Sequence, residues 1–373
     1  MSFTFHIPGI PHTATNKDYL CCAFTQKVLN LCKMLTERGH KVIHYGNELS
    51  DVVCTEHVTV TDAADIGPPE TSGKFDVNSA VYGNFHHNTV EAINARKQPG
   101  DFLLCAWASH KSIADECPGL IVVESGIGYP GGYFAPYKVF ESYALLHAYR
   151  GTQGVGTAQG NAWWYDAVIP NYYDLADFTF NDNPGGYLAF LGVRSIGGEG
   201  KGDYIAMQIA KEVGLPLVMA GPGTVNNAHA PAQLVGFVGV EKRREILSNA
   251  RAVLTPSMFV EPFCGVSVEA MLSGTPVITT DWGAFAENVL HGVTGYRCRT
   301  FEQFVWAAQN IHKIDRRACR DWAASNFSLE RVGAMYEEYF QSVADAQTGK
   351  RWYTPRSDRT DLDWLKRNYP MAA

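Results

Sequence analysis

Short apolar runs of four or five residues recur along the 373-residue chain. Between them lie longer stretches in which apolar positions fall three or four apart. The short runs read as strands buried on both faces and the longer stretches as amphipathic helices; their alternation predicts parallel sheets covered by helices on both sides. In the first half, Phe3–Ile7, Lys41–Tyr45, Phe102–Ala106 and Leu120–Glu124 are predicted strands, and Leu20–Arg38 is a predicted helix closed by Gly39. A second series runs through a strand at Tyr187–Leu191, a helix at Tyr204–Val213, strands at Pro216–Ala220 and Leu234–Val238, and a helix at Lys242–Asn249. It continues with a strand at Ala252–Leu254, a helix after Gly265 and a strand at Pro276–Thr279. Phe180-Asn181-Asp182-Asn183-Pro184-Gly185-Gly186 is rich in turn formers and predicts a linker between the series. Residues 46–85 show no regular period and predict an insertion or a loop. No internal repeat or low-complexity tract is present.

Composition adds limits. The chain is 46% hydrophobic and 18% charged, enough to fill two cores and too apolar for a disordered chain. The net charge of −7 gives no general attraction to nucleic acid or anionic membrane. Residues 1–175 hold 11 Lys/Arg against 17 Asp/Glu, a balance that disfavours a highly charged acceptor there, a local basic patch being the alternative. Nine scattered cysteines without a Cys-x-x-Cys pair predict a reducing compartment, and Cys21-Cys22 read as packing residues on the first helix. Pro8, Pro11 and His12 interrupt any apolar leader, and no run approaches the ~18 apolar residues of a membrane span, so a cytoplasmic location is expected.

The candidate chemistry centres on Glu261-Pro-Phe-Cys-Gly-Val-Ser-Val-Glu269. It follows the apolar run Ala252–Leu254 and leads into the apolar face of Val266, Val268, Ala270, Met271 and Leu272, closed by Gly274. A helix opening at Gly265 turns unpaired N–H groups and a positive dipole end toward the preceding loop, an arrangement that suits a phosphate. Glu261 before the turn can accept from sugar hydroxyls, and Glu269 one turn in can accept from a ribose. Two acids on a capped helix, one of them solvated, are the alternative. Upstream, Arg194 follows Phe190-Leu191-Gly192, and Lys201 sits in Gly197-Gly198-Glu199-Gly200-Lys201-Gly202; glycines admit a phosphate to the backbone and the two cations stabilise a leaving diphosphate. An ordinary glycine loop is the alternative there. Gly221 in Gly-Pro-Gly, and Gly239 and Val240 after Gly236-Phe237-Val238, either border a nucleotide or are turns.

In the first half, Gly126 to Tyr137 holds four glycines and four aromatics after a predicted strand end. Glu124, Ser125, Tyr129, Tyr133 and Tyr137 read as an acceptor loop, with a rigid packing loop as the alternative. Trp163-Trp164-Tyr165 adds aromatic residues split between core and surface. Asp361-Leu362-Asp363 lies in a polar stretch near the end of the sequence and reads as solvated. His86-His87 has no partner residues at metal spacing, so no metal site is expected.

Together with Arg38-Gly39-His40-Lys41-Val42, Ile169-Pro170-Asn171-Tyr172-Tyr173-Asp174, Gly283-Ala284-Phe285-Ala286-Glu287 and Gly292-Val293-Thr294-Gly295, these segments resemble, in order, the retaining GT-B glycosyltransferases of the glycosyltransferase-4 type. The resemblance is continuous over about residues 187–300 and looser over 1–175. It implies two Rossmann-like α/β domains facing a cleft, expected at 1–180 and 187–340, with 341–373 packing back on the first. It implies a UDP- or GDP-sugar donor, a hydroxyl acceptor, transfer with retention and no obligatory metal or cofactor. Carried over by position, Arg194 and Lys201 grip the diphosphate, Glu261 holds the donor sugar, the amides of Gly265 and Val266 meet sugar and phosphate, and Glu269 binds the ribose. The sequence departs from the family in two places. Pro8-Gly9-Ile10-Pro11 lacks the Gly-Gly loop after the first strand, and no His follows Leu120–Val123, leaving Glu124, Ser125 or His110 as substitutes. A carbohydrate acceptor ranks above a hydroxylated base in modified nucleic acid. A sugar-nucleotide epimerase or hydrolase and a non-catalytic binding module are the readings from other classes. Oligomeric state leaves no mark in the sequence.

Overall fold

The computed structural model describes residues 2–71, 76–129, 131–154, 165–192, 200–223 and 232–349. The chain divides into two compact units. The first comprises Met1–Glu141, Leu146–Tyr172 and the helix that begins at Leu329; the second comprises Ser142–Leu145 and Tyr173–Ser328.

The first unit carries β1 (Thr4–Pro8), β2 (Lys41–Asn47), β3 (Glu56–Thr61), β4 (Phe102–Cys105), β5 (Ile121–Ile127), β6 (Tyr137–Phe140) and β7 (Ala167–Val168). They form one parallel sheet in the order β3-β2-β1-β4-β5-β6-β7. The second unit carries β8 (Leu188–Leu191), β9 (Leu217–Ala220), β10 (Ala232–Gly236), β11 (Ala252–Thr255), β12 (Val277–Thr280) and β13 (Gly295–Cys298). Its parallel sheet has the order β10-β9-β8-β11-β12-β13. Both orders are doubly wound. The sheet reverses its direction of growth between β1 and β4 in one unit and between β8 and β11 in the other, the switch points outside which ligands bind in such sheets.

The strands form where apolar residues are continuous: β4, β8, β11 and β12 are buried at every position. The long helix Leu329–Gln347 buries Leu329, Val332, Met335, Tyr336, Tyr339, Phe340 and Val343, one stripe at helical spacing. Phe340 meets Phe5 at 4.7 Å and Phe102 at 5.3 Å between ring centroids, which draws this helix into the first unit.

Several expectations change. Residues 46–85 contain β3, and the helix Ala80–Asn94 begins within them. β3 is an edge strand whose outer residues are half-exposed, so its polar positions mask the period. The first helix spans Ala23–Glu37, leaving Cys21 before it and Cys22 at its N-cap. The return to the first unit comes at Leu329, earlier than residue 341, because the apolar stripe starts there; the predicted linker 180–186 lies inside the second unit. Among the described residues, no helix is long and apolar enough to cross a membrane.

Candidate functional site

The loop after β11 runs from Pro256 to Cys264 and hands over to the helix Gly265–Leu272. Cys264, at φ 63°, is the one non-glycine residue with positive φ among the described residues. A side chain in that conformation costs on the order of 1–3 kcal/mol and is held by its surroundings. The strain turns the chain so that the helix opens with no side-chain cap, leaving its first N–H groups directed into the loop.

Three neighbours fix the loop. Trp282 Nε1 donates to the Phe259 carbonyl at 3.1 Å, Asn288 Nδ2 donates to the Phe263 carbonyl at 2.9 Å, and Met258 N–H donates to the Gly200 carbonyl at 2.6 Å. Gly283, at φ 62°, lies so close to Glu261 that a Cβ there would stand 2.7 Å from the Glu261 nitrogen. Only glycine permits this approach.

Glu261 is 3% exposed. Its Oε1 accepts from Ser257 Oγ at 2.7 Å and from Lys201 Nζ at 2.7 Å. A buried carboxylate needs such partners. Lys201 also lies 4.8 Å from the centre of the Phe259 ring, and its side chain is 44% exposed. An ammonium has three N–H bonds; the one given to Glu261 aims the cation at the mouth of the loop.

Glu269 sits one turn into the helix. Arg243, from the helix Val240–Asn249, donates to its Oε2 through Nε at 2.7 Å and approaches it through Nη2 at 2.5 Å. Tyr173 reaches the same corner, its hydroxyl 2.9 Å from where a Cβ on Gly265 would stand, and its ring stacks on Phe263. Burial, and then the Glu269 charge, push the Tyr173 phenol upward, so it stays a neutral hydroxyl. Glu287 is buried and accepts from the N–H groups of Tyr143 and Ala144 at 2.8 and 2.7 Å; burial raises its pKa against those two bonds.

Gly221 follows β9 at φ 122°, where a Cβ would stand 2.1 Å from the Gly192 carbonyl oxygen. Gly239 is the N-cap of the helix that Val240 opens and is exposed. Val266 is the second residue of the helix Gly265–Leu272. Arg194 lies outside the described residues. Sequence reasoning missed Ser257, Arg243 and the hydroxyl of Tyr173. Ser257 stands one helical turn's spacing before Glu261, a usable signal; Arg243 stands in Glu241-Lys242-Arg243-Arg244-Glu245, which reads as a solvated face.

The first-unit candidates have other tasks. His110 is buried, and its Nε2 donates to the Gly9 carbonyl at 3.0 Å, tying the chain after β4 to the chain after β1. Burial pushes its pKa down to about 4, so it is neutral at pH 7. It is a clamp within the fold. Glu124 is buried and accepts from Tyr129 Oη at 2.8 Å and from the N–H groups of Phe134 and Ala135, each at 2.9 Å; burial outweighs these bonds and raises its pKa. Ser125 is buried beside it in β5. Tyr129 is 8% exposed and Tyr137 7%, and Tyr137 Oη accepts from Gln347 at 2.7 Å. Tyr133 donates to the Tyr129 carbonyl and stands edge-on to Tyr149 at 4.5 Å. The loop expected to meet an acceptor is organised around one buried carboxylate; the rings of Tyr129 and Tyr137 are buried, and Tyr133 is half-buried. Trp163, Trp164, Asp361 and Asp363 lie outside the described residues. Among the described residues, no three His, Cys, Asp or Glu side chains are grouped to hold a metal.

Residues 204–313, within the second unit, match the family described as "Glycosyl transferases group 1". The lipopolysaccharide 1,2-N-acetylglucosaminetransferase of Salmonella typhimurium is 29% identical over 148 residues, 37% of this chain and 35% of that protein. The curated relatives are matched over 26–42% of their own lengths. Among solved structures, AviGT4, a glycosyltransferase of avilamycin A biosynthesis, superposes with a TM-score of 0.68 at 19% identity, over 92% of this chain and 98% of that one. Anabaena Alr3699/HepE, solved with UDP and glucose, gives 0.62 at 14% identity over 91% and 100%. The fold is GT-B, two parallel α/β sheets of doubly wound order, and the group 1 glycosyltransferase match lies within the second of them.

Proposed function

We propose that the chain is a retaining glycosyltransferase that moves a sugar from a nucleotide diphosphate to a hydroxyl acceptor, with no obligatory metal. The observation that carries this is the contact of Lys201 with buried Glu261, beside an uncapped helix start at the switch point of the second sheet. The diphosphate lies against the N–H groups of Gly265 and Val266 and the remaining donors of Lys201; the family resemblance assigns Arg194 to it as a second cation. These groups take up the negative charge that grows as the sugar C1–O bond breaks. Glu261, held by Ser257, accepts from donor-sugar hydroxyls, and Glu269 accepts from the ribose. The acceptor oxygen attacks C1 on the face the diphosphate leaves. The leaving phosphate oxygen keeps the bonding pair and takes the acceptor's proton, which preserves the anomeric configuration.

UDP-sugars are the first donors to test, in keeping with the UDP and UDP-glucose complexes of HepE. A carbohydrate is the first acceptor class, consistent with the lipopolysaccharide substrate in the Salmonella relative's name. The test is a thermal-shift panel of UDP- and GDP-sugars with and without EDTA, since a ligand of the folded state raises the melting point. The expected result is stabilisation that survives EDTA, followed by α-linked product from an α-linked donor in an acceptor screen. No shift with any nucleotide sugar removes the reading. Loss of the shift in EDTA removes metal independence, and donor consumption without acceptor makes the chain a hydrolase or epimerase.

A further inference from the structure

We infer that Arg243 is a positioning residue that sets Glu269 to receive the ribose, and so makes the site discriminate between ribose and dideoxyribose nucleotides. This rests on the nucleotide site proposed above. The two oxygens of Glu269 are separated in task. Oε2 takes both Nε and Nη2 of Arg243, a fork closed on one atom. Oε1 is turned the other way, 3.6 Å from where a Cβ on Gly265 would stand, with the Tyr173 hydroxyl 2.9 Å from the same point. Any side chain at 265 would meet both groups, so the space beside Oε1 stays open because residue 265 is glycine. A glutamate has three rotatable side-chain torsions, and a charged partner that already holds one oxygen lowers the entropy cost of fixing it in one rotamer on binding.

The neighbours of Arg243 do not share this task. Arg244 donates to the Asp177 carbonyl and carboxylate, and Lys242 pairs with Glu245 on the same helix. Of three consecutive cations, one alone is spent on the site. The pair is largely shielded from solvent, its side chains only 22% and 18% exposed, so the contact is little screened.

The experiment is calorimetric titration of the full chain with UDP and with 2′,3′-dideoxy-UDP, and with the GDP pair in parallel. Wild type is expected to prefer the ribose form roughly 10- to 100-fold, the discrimination a charge-assisted hydrogen bond supplies. In Arg243→Leu and the more conservative Arg243→Gln, the preference should fall to about 3-fold or less, as ribose-form affinity drops about tenfold and dideoxy affinity holds. Arg243→Lys should restore part of it. Melting points of the free variants serve as the folding control. If Glu269→Gln abolishes the preference while both Arg243 variants keep it, the inference is overturned and the ribose reading stands. If Arg243→Leu weakens both forms equally, together with inorganic pyrophosphate, Arg243 binds phosphate and the inference is overturned. If Glu269→Gln keeps the preference, or wild type binds neither diphosphate, the nucleotide-site reading itself fails.

Discussion

At the ends of β8 and β11 the second unit gathers Lys201, Glu261, Arg243 and Glu269 around a helix that opens without a cap. At the ends of β1 and β4 the first unit gathers buried imidazoles and aromatic rings: His110 closes on Gly9, and Tyr82 and Trp107 pack with Ile10 and Cys22. The two sheets have the same winding, so the strand order does not account for the difference. The charge does. One switch point keeps a solvent-reaching cation beside a strained turn; the other is filled by buried groups, its nearby Lys27 closed into a pair with Glu141. The family match falls on the first kind alone. A scaffold supplies a place for chemistry, and the side chains after its strand ends decide whether the place is used.

The largest expected effect separates the units kinetically. Lys201→Ala should lower the transfer rate roughly 10²- to 10³-fold, as loss of one charge-stabilising group does elsewhere, with donor affinity changed little. Steady-state rates on a donor and acceptor found by screening measure this. A greater kinetic loss from His110→Gln at an unchanged melting point would erase the contrast.

Acid should act through the first unit. His110 has a folded pKa of about 4 against an ordinary 6.5, and burial also pushes His44 down, to about 3. A depressed imidazole stays neutral in the fold while the unfolded chain takes up protons. Its contribution is whole above pH 6.5, and it is lost as pH falls toward 4. For His110 that loss is about 3 kcal/mol. Urea midpoints between pH 7 and 4 should fall steeply in wild type and less steeply in His110→Gln. Equal slopes would deny the clamp its role.

Glu269→Ala should weaken UDP binding about tenfold, as read by calorimetry, without moving the acid slope. The smallest effect belongs to Tyr129→Phe, which takes one of the three donors from Glu124. It should lower stability by about 1 kcal/mol, a drop of a few degrees in melting point, and leave UDP binding intact. Lost acceptor use at an unchanged melting point would instead make this loop an acceptor surface.

The sequence spoke most clearly where burial is complete. Val253-Leu254 and Phe102–Cys105 read as strands because both faces are covered. β3 did not, since an edge strand with half-exposed residues keeps polar side chains. Lys201, Glu261 and Glu269 stood out in the sequence by type and spacing around a strand end and a helix start, and the structure brings Lys201 onto Glu261 there. Arg243 was not, because its run of charges suits any solvated helix and only tertiary packing brings it to Glu269. The tyrosines after β5 suggested an open surface. The burial of Glu124 drew Tyr129 inward, because an interior carboxylate needs donors; it takes the Tyr129 hydroxyl and the N–H groups of Phe134 and Ala135.

The most direct test of the account is a crystal structure of the chain with UDP bound. The prediction is a diphosphate against the first turn of the helix Gly265–Leu272 and Lys201, with the ribose hydroxyls on Glu269 Oε1. UDP lodged at the ends of β1 and β4, or a ribose remote from Glu269, would contradict it.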